Sequence, residues 1–225
     1  MAEAVSAAEG LFAVVGAGGH GREVMPLAAH ALRGSVASGR VRLVFAVDDP
    51  GDRTSVNGYP LISIQEFLST PGPRRFNVAV GESRARERLA SRCIEAGATS
   101  FPIVASNATV LDANEIGEGA MLSPYACVTS NVRIGRFFQC NVHASVSHDC
   151  IIGDFVTMAP GARCNGNVVV GDHAYIGANA VVREGRGGSK VVIGKGAVIG
   201  MCAVVTRDVP DGVTVFGNPA RAFAR

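Results

Sequence analysis

Tryptophan is absent and only 6% of the residues are aromatic, so a core must be filled by small aliphatic side chains rather than by rings. Charge of one sign is lacking as well. The 21 Lys and Arg stand against 19 Asp and Glu, a net of about +2, too little to imply nucleic acid or an acidic membrane as partner. No apolar run reaches membrane-spanning length. Residues 1–10 lack the basic-then-apolar order of a secretion signal, which makes the cytoplasm the expected compartment. The six cysteines contain no Cys-x-x-Cys, and reduced thiols used as small hydrophobes are the expectation.

What is abundant is glycine, 28 of 225 residues, as a fold with many tight corners requires. The second half carries a six-residue period. Stepping in sixes from Val110 gives Val110, Ile116, Leu122, Val128, Ile134, Cys140, Val146, Ile152, Met158, Cys164, Val170, Ile176 and Val182, all apolar. Two residues before each sits a mostly small side chain, among them Ala108, Ala120, Ala126, Ala144, Cys150, Ala162, Ala174 and Ala180. Gly117, Gly135, Gly153 and Gly171 recur at a step of 18. Neither a 3.6-residue helix nor a two-residue strand holds such a register. A triangular solenoid does, with one side per hexapeptide and one coil per 18 residues, the repeated apolar residue pointing inward. The register breaks once, at Arg183–Lys190, and resumes at Ile193, Ile199 and Val205. This insertion reads as a flexible basic loop on one face of the solenoid.

The first half alternates strand and helix. Strands are expected at 12–15, 41–47 and 76–80, with helices over about 22–32, from about Ser63, and over about 83–96. That pattern predicts a small Rossmann-like parallel α/β domain over residues 1–98, followed by the solenoid over 99–225. After the first strand comes Gly16-Ala-Gly18-Gly19-His20-Gly21, and after the second Asp48-Asp49. A strand, a glycine turn and a helix start form a phosphate cradle, because glycine lets the backbone approach and the helix offers free N–H groups. The spelling departs from the dinucleotide pattern G-x-G-x-x-G. The acids are placed to accept hydrogen bonds from a ribose or base. A plain tight turn with solvated acids is the alternative. The domain is too small for a full dinucleotide fold, so a single nucleotide, such as a nucleotide-linked sugar, fits better.

Five histidines are present, at 20, 30, 143, 148 and 173. His148-Asp149 falls at a solenoid corner, two residues past inward Val146. A histidine beside an orienting carboxylate suits a general base, and a surface histidine with a chance acidic neighbour is the alternative. His143 and His148 are five apart, the spacing of two zinc ligands in trimeric β-helix carbonic anhydrases. The third ligand belongs 36 residues before His143, where Asn107 stands, so no metal is expected. Cys150 sits at an inward-facing position and is not expected to act as a nucleophile.

Five segments stand in order: Gly16-Ala-Gly-Gly-His-Gly-Arg-Glu-Val24, Val47-Asp-Asp49, His148-Asp-Cys-Ile-Ile-Gly153, Asn165-Gly-Asn167 and Gly217-Asn-Pro-Ala-Arg221. Together they resemble the bacterial nucleotide-sugar acyltransferases of the sialic-acid O-acetyltransferase-like group. That group includes the N-acetyltransferases for UDP-linked 4-amino sugars of the bacillosamine pathway and for GDP-perosamine. The resemblance covers nearly the whole chain. It implies a left-handed parallel β-helix of hexapeptide repeats, a homotrimer with active sites between subunits, and acetyl-CoA as acyl donor. His148 matches the catalytic base, Asp149 the acidic residue beside it, and Asn141 an Asn near the acceptor sugar. Gly16, Gly18, Gly19, His20, Gly21, Asp48 and Asp49 match the nucleotide pocket. Gly166 matches a backbone N–H at the thioester. Gly177, Ala178, Gly217, Asn218, Pro219 and Arg221 match the coenzyme A groove. Some members carry a second histidine near the pantetheine, nine residues after the base, where this chain has Thr157. Altered cofactor contacts are expected there.

The activity so implied is N-acetylation of a nucleotide-linked 4-amino-4,6-dideoxy sugar by direct attack of the amine on the thioester, with His148 as base. Acetylation of a sugar hydroxyl uses the same residues and differs in the acceptor. A non-catalytic nucleotide-binding solenoid predicts binding without transfer, and a zinc hydratase predicts bound metal and indifference to coenzyme A.

Overall fold

A computed structural model describes residues 8–223. The expectation drawn from residues 1–10 falls largely outside them. The chain divides into two compact units at Val104/Ala105. The first extends past residue 98 because Thr99–Ser100 adds a strand to its sheet. The Phe101 N–H donates to the Phe76 carbonyl at 3.0 Å, and the Phe101 ring packs edge-on against Phe12.

In the N-terminal unit, β1 (Gly10–Val15) leads through α1 (Gly19–Ala37) to β2 (Val41–Val47). A short hairpin of β3 (Ser55–Val56) and β4 (Tyr59–Ser63) follows, then α2 (Ile64–Ser69), β5 (Arg74–Val78), α3 (Ser83–Glu95) and β6 (Thr99–Ser100). Sheet order is β3-β4-β2-β1-β5-β6, parallel except for the β3–β4 pair. β1 is buried along nearly its whole length between β2 and β5. Such apolar runs suit a sheet covered on both faces.

Helix α1 buries Val24, Met25, Ala28, Leu32 and Ser35, a stripe at helical spacing. It begins three residues earlier and ends five later than the 22–32 expected, because the glycine turn itself supplies its first turn. Side chains cap the other two helices: Ser63 accepts from the Glu66 N–H, and Glu82 from those of Arg84 and Ala85. The β3–β4 hairpin, in a stretch read as turn-rich, closes at Asn57-Gly58, both with positive φ.

The C-terminal unit is a left-handed parallel β-helix of hexapeptide repeats. Its strands pair in parallel at the expected step, so that Met121↔Gln139, Cys127↔Ser145 and Arg133↔Ile151 each join one coil to the next. The inward residues from Leu122 to Val182 are buried, and burial of each contributes roughly 1.5–3 kcal/mol. Val110 and Ile116 differ, being only half-buried, since they belong to the first coil of this unit. Corners close by a device absent from the sequence reading. From Val110 to Ile176 the residue three after each inward position is left-handed, including Ala113, Tyr125, Asn131, Phe137, His143, Asp149, Phe155, Asn167, His173 and Asn179. Stacking offsets part of that conformational cost. Phe137, Phe155 and His173 pile up with ring centroids 5.4 Å apart, and Tyr125 lies on His143 at 4.9 Å.

Candidate active site

The solenoid register places residues at equivalent corner positions directly above one another. His148, Gly166 and Glu184 each follow an inward residue by two (Val146, Cys164 and Val182), so they form one column. His148 stands on the corner half-exposed, and its carbonyl accepts the Asn167 N–H from the next coil at 3.0 Å. Asp149 occupies the left-handed corner position, φ 60°, which turns its carboxylate back onto the preceding imidazole. Its Oδ2 lies 2.8 Å from His148 Nδ1. With Nδ1–H donating to the carboxylate, Nε2 is left with its lone pair, the arrangement of a base held in one tautomer. The Asp149 carboxylate, first through this hydrogen bond, raises the His148 pKa, and Glu184 adds to the effect.

Gly166 is buried against the face of that ring. A Cβ there would sit 2.5 Å from Nε2 and 3.0 Å from Nδ1, and nearer still to Cε1, so only glycine lets the coil close over His148. Among the described residues the Gly166 N–H pairs with no backbone carbonyl. The bare position also opens a line to the coil above, where Glu184 Oε1 lies 3.7 Å from His148 Nε2.

The insertion that carries Glu184 is not the loose basic loop read from its composition. The Gly185 N–H donates to the Gly166 carbonyl at 3.0 Å, Arg186 and Ser189 form an antiparallel bridge, and Lys190 Nζ donates to the Asp149 carbonyl at 3.2 Å. Below it, Asn131, Arg133, Asp149, Cys150 and Lys190 line part of a polar cleft of about 250 Å³.

Cys150 is buried beside the site, its Sγ donating to the Asn165 carbonyl at 3.1 Å. Its neighbour Cys164 is fully buried, and contact with Cys150 together with burial pushes that thiol well up. His143 belongs to a different corner from His148, stacked on Tyr125. Among the described residues no group of three or more His, Cys, Asp or Glu is placed to hold a metal ion.

Other residues singled out from the sequence are not gathered at His148 within one chain. Asn141 and Gly177–Ala178 lie on the corner before it, following the strands Gln139–Cys140 and Tyr175–Ile176. Thr157 is on a strand of that earlier side and is buried. Gly217–Arg221 forms the turn of a terminal hairpin, with Phe216 paired to Arg221. It is stitched to the last coil by Val204 N–H to Gly217 O and Ala220 N–H to Val204 O.

In the N-terminal unit the glycine turn sits where the topology reverses, β2 on one side of β1 and β5 on the other, the usual ligand crevice of an open parallel sheet. Gly16 has φ +102°, and a Cβ on Gly21 would strike the Gly16 carbonyl. Gly18 and Gly19 face open space. His20 Nδ1 is 3.5 Å from Glu23, while its buried Nε2 has no hydrogen-bond partner among the described residues. Burial lowers its pKa, against the opposing pull of Glu23. Asp48 pairs with Arg92 at 3.1 Å, and Asp49 accepts the Gly51 N–H at 2.8 Å.

Sequence reasoning missed Arg86. It is fully buried, its Nη1 donating to the Val80 and Gly81 carbonyls, and burial pulls its pKa down to about 10. Nothing distinguishes it by type from Arg84 or Arg88 on the same helix.

Comparison with known proteins completes the picture. Residues 12–93 match the family described as the PglD N-terminal domain. The chain is 44% identical over 216 residues to GDP-perosamine N-acetyltransferase of Escherichia coli O157:H7, covering 96% of this chain and 97% of that protein. Among solved structures it is similar to the acetyltransferase domain of PglB from Neisseria gonorrhoeae in complex with acetyl coenzyme A. Identity there is 33%, with a TM-score of 0.83, over 96% of this chain and 100% of that one. It is also similar to PerB from Caulobacter crescentus in complex with CoA and GDP-perosamine. Identity is 27% and TM-score 0.81, over 96% and 99% of the two chains.

Proposed function

Since the chain belongs to the hexapeptide-repeat acetyltransferases that carry a PglD N-terminal domain, we propose that it moves the acetyl group of acetyl-CoA to the amine of a nucleotide-linked 4-amino-4,6-dideoxy sugar. GDP-perosamine is the leading acceptor, given the E. coli relative and the ligands of the Caulobacter structure. The observation that carries the reading is His148, fixed by Asp149 at 2.8 Å with Nε2 directed away from that carboxylate and Gly166 across its face.

The N-terminal unit grips the nucleotide diphosphate through Gly16–Gly21, with His20, Asp48 and Asp49 at the rim. The enzyme works in the cytoplasm as a homotrimer, so that Asn141, Thr157, Gly177, Ala178 and Gly217–Arg221 of one subunit complete the His148 site of another. This assembly accounts for residues that one chain leaves on separate corners. The acetyl thioester supplies an electrophilic carbonyl. His148 Nε2 takes the proton that the amine nitrogen loses as its C–N bond forms and the C–S bond breaks, Asp149 supports the imidazolium, and the imidazolium returns that proton to the departing coenzyme A thiolate. The Gly166 N–H is available to the carbonyl oxygen as negative charge gathers there. No side chain needs to carry the acetyl group, because holding both substrates together supplies much of the rate. Buried Cys150 fits that economy.

The test is coenzyme A release from acetyl-CoA with UDP-, GDP- and dTDP-linked 4-amino sugars and their hydroxyl counterparts, run beside His148→Ala. Turnover with one amino sugar and a loss of roughly 10²–10⁴ in kcat for the variant are expected. Turnover confined to a hydroxyl acceptor moves the protein to O-acetyl transfer, and undiminished turnover in His148→Ala sinks the assignment of the base.

A further inference from the structure

We propose that Glu184 is the anionic anchor for the acceptor's protonated amine, and so the residue that makes this site prefer an amine to a hydroxyl. The inference rests on the acetyltransferase reading and deepens it. Three observations lead there. First, His148 is flanked by two carboxylates in different roles. Asp149 holds Nδ1 at 2.8 Å, whereas Glu184 Oε1 stops 3.7 Å from Nε2, beyond hydrogen-bond reach. Second, Glu184 stands two coils above His148 in the same column, and it reaches the ring only because Gly166 between them has no side chain. Third, the insertion holds it there. Gly185 is bonded to the Gly166 carbonyl, the Arg186–Ser189 bridge closes the loop, and Lys190 Nζ ties it to Asp149. A Cβ on Gly185 would meet the Ser189 carbonyl at 2.5 Å and the Asn167 carbonyl at 2.6 Å, so the loop has little room to move off the column.

A primary amine at neutral pH arrives largely as an ammonium ion. A half-exposed carboxylate beside the basic nitrogen concentrates that ion at the site, where one proton passes to solvent to free the attacking lone pair and Nε2 takes the second as the C–N bond forms. A neutral hydroxyl can also donate to the carboxylate, but it brings no charge of its own and so gains no ion-pair attraction. Glu184 moves no proton itself. It binds charge and leaves the chemistry to His148.

The experiment compares wild type with Glu184→Gln and Glu184→Asp. It uses the GDP-linked 4-amino sugar and its 4-hydroxy counterpart, measuring calorimetric affinity without acetyl-CoA and the kcat and KM of coenzyme A release. For Glu184→Gln, affinity for the amine weakens about tenfold and KM rises in step, the low end for a charged hydrogen bond because the site is open to solvent. Affinity for the hydroxyl counterpart stays within about twofold, kcat is largely kept, and Glu184→Asp recovers part of the loss. Equal weakening of both acceptors assigns Glu184 a structural role and overturns the proposal, as does unchanged amine affinity. Wild-type turnover of the amine with no effect of Glu184→Gln defeats this inference alone. A wild type that neither binds nor acetylates any amino sugar defeats the functional reading with it.

Discussion

Replacing Gly166 with alanine adds one methyl group, and the structure places it against the His148 ring. The new carbon would lie 2.5 Å from Nε2 and 3.0 Å from Nδ1 of His148, where comfortable contact requires about 3.5–4.0 Å. The imidazole must therefore retreat by about 1 Å. That motion spoils the 2.8 Å bond to Asp149 and carries Nε2 away from the acceptor. A misplacement of about 1 Å at a reacting group costs on the order of 10²-fold in rate, equal to about 2.7 kcal/mol of transition-state stabilisation. Stability is expected to respond differently. Gly166 is not left-handed, so alanine can adopt its backbone, and restricting the unfolded chain offsets roughly 0.4–1 kcal/mol of any cost. The displaced ring is half-exposed and gives way without disturbing the core. Steady-state coenzyme A release and a thermal melt on the same preparation separate the two effects. The reasoning requires kcat to fall about 10²-fold with the melting temperature within a few degrees of wild type. If kcat stays within about threefold, the glycine does not position the base. If rate and melting temperature collapse together, Gly166 is a packing residue of the coil and the column argument is wrong.

Asp149 raises the His148 pKa, and in the proposed mechanism the form that accepts a proton is the neutral one, populated above that pKa. In Asp149→Asn the acid limb of the kcat/KM–pH profile therefore moves to lower pH. The plateau falls at least about tenfold, because an amide no longer selects the Nδ1–H tautomer. An unmoved acid limb refutes the pairing. In Gly21→Ala the new Cβ strikes the Gly16 carbonyl and lies 2.9 Å from its carbon. The turn must deform, so KM for the nucleotide sugar rises while KM for acetyl-CoA does not. A change in both, or in neither, removes the glycine turn from the nucleotide pocket.

Much of this was legible because hexapeptide periodicity is a geometric statement. Once Val146, Cys164 and Val182 were read as inward residues, the three faces and their parallel pairings followed. So did the position of His148 on a corner, and the structure has all of them. The left-handed corner residues were legible only in hindsight. Asn131, Asp149, Asn167 and Asn179 are types that tolerate positive φ, yet Tyr125, Phe137 and Phe155 share the position and conceal the rule. Those rings are admitted because each stacks on an equivalent one a coil away, a pairing that emerges only after the coils are laid together. Arg86 was hidden for a related reason. Burial of one arginine among several on a helix is decided by the Val80 and Gly81 carbonyls of the loop after β5, and the helix's own sequence carries no sign of them.

Glu184 shows where register reading stops and packing begins. From Val182 to Ile193 the chain takes eleven residues where the repeat needs six, so five are inserted directly above the His148 column. The coils nevertheless realign, Val169 pairing with Val192 and Val181 with Val204. A solenoid accepts this because each coil rests only on its neighbours, and the extra length leaves the prism at a corner without disturbing its core. The corner that absorbs the insertion is the one that carries His148. The segment from Glu184 to Lys190 touches His148 and Asp149 while the inward positions stay in step. Asp149, Gly166 and the placing of Glu184 two residues past Val182 follow the repeat, whereas Lys190 comes from the inserted segment that departs from it.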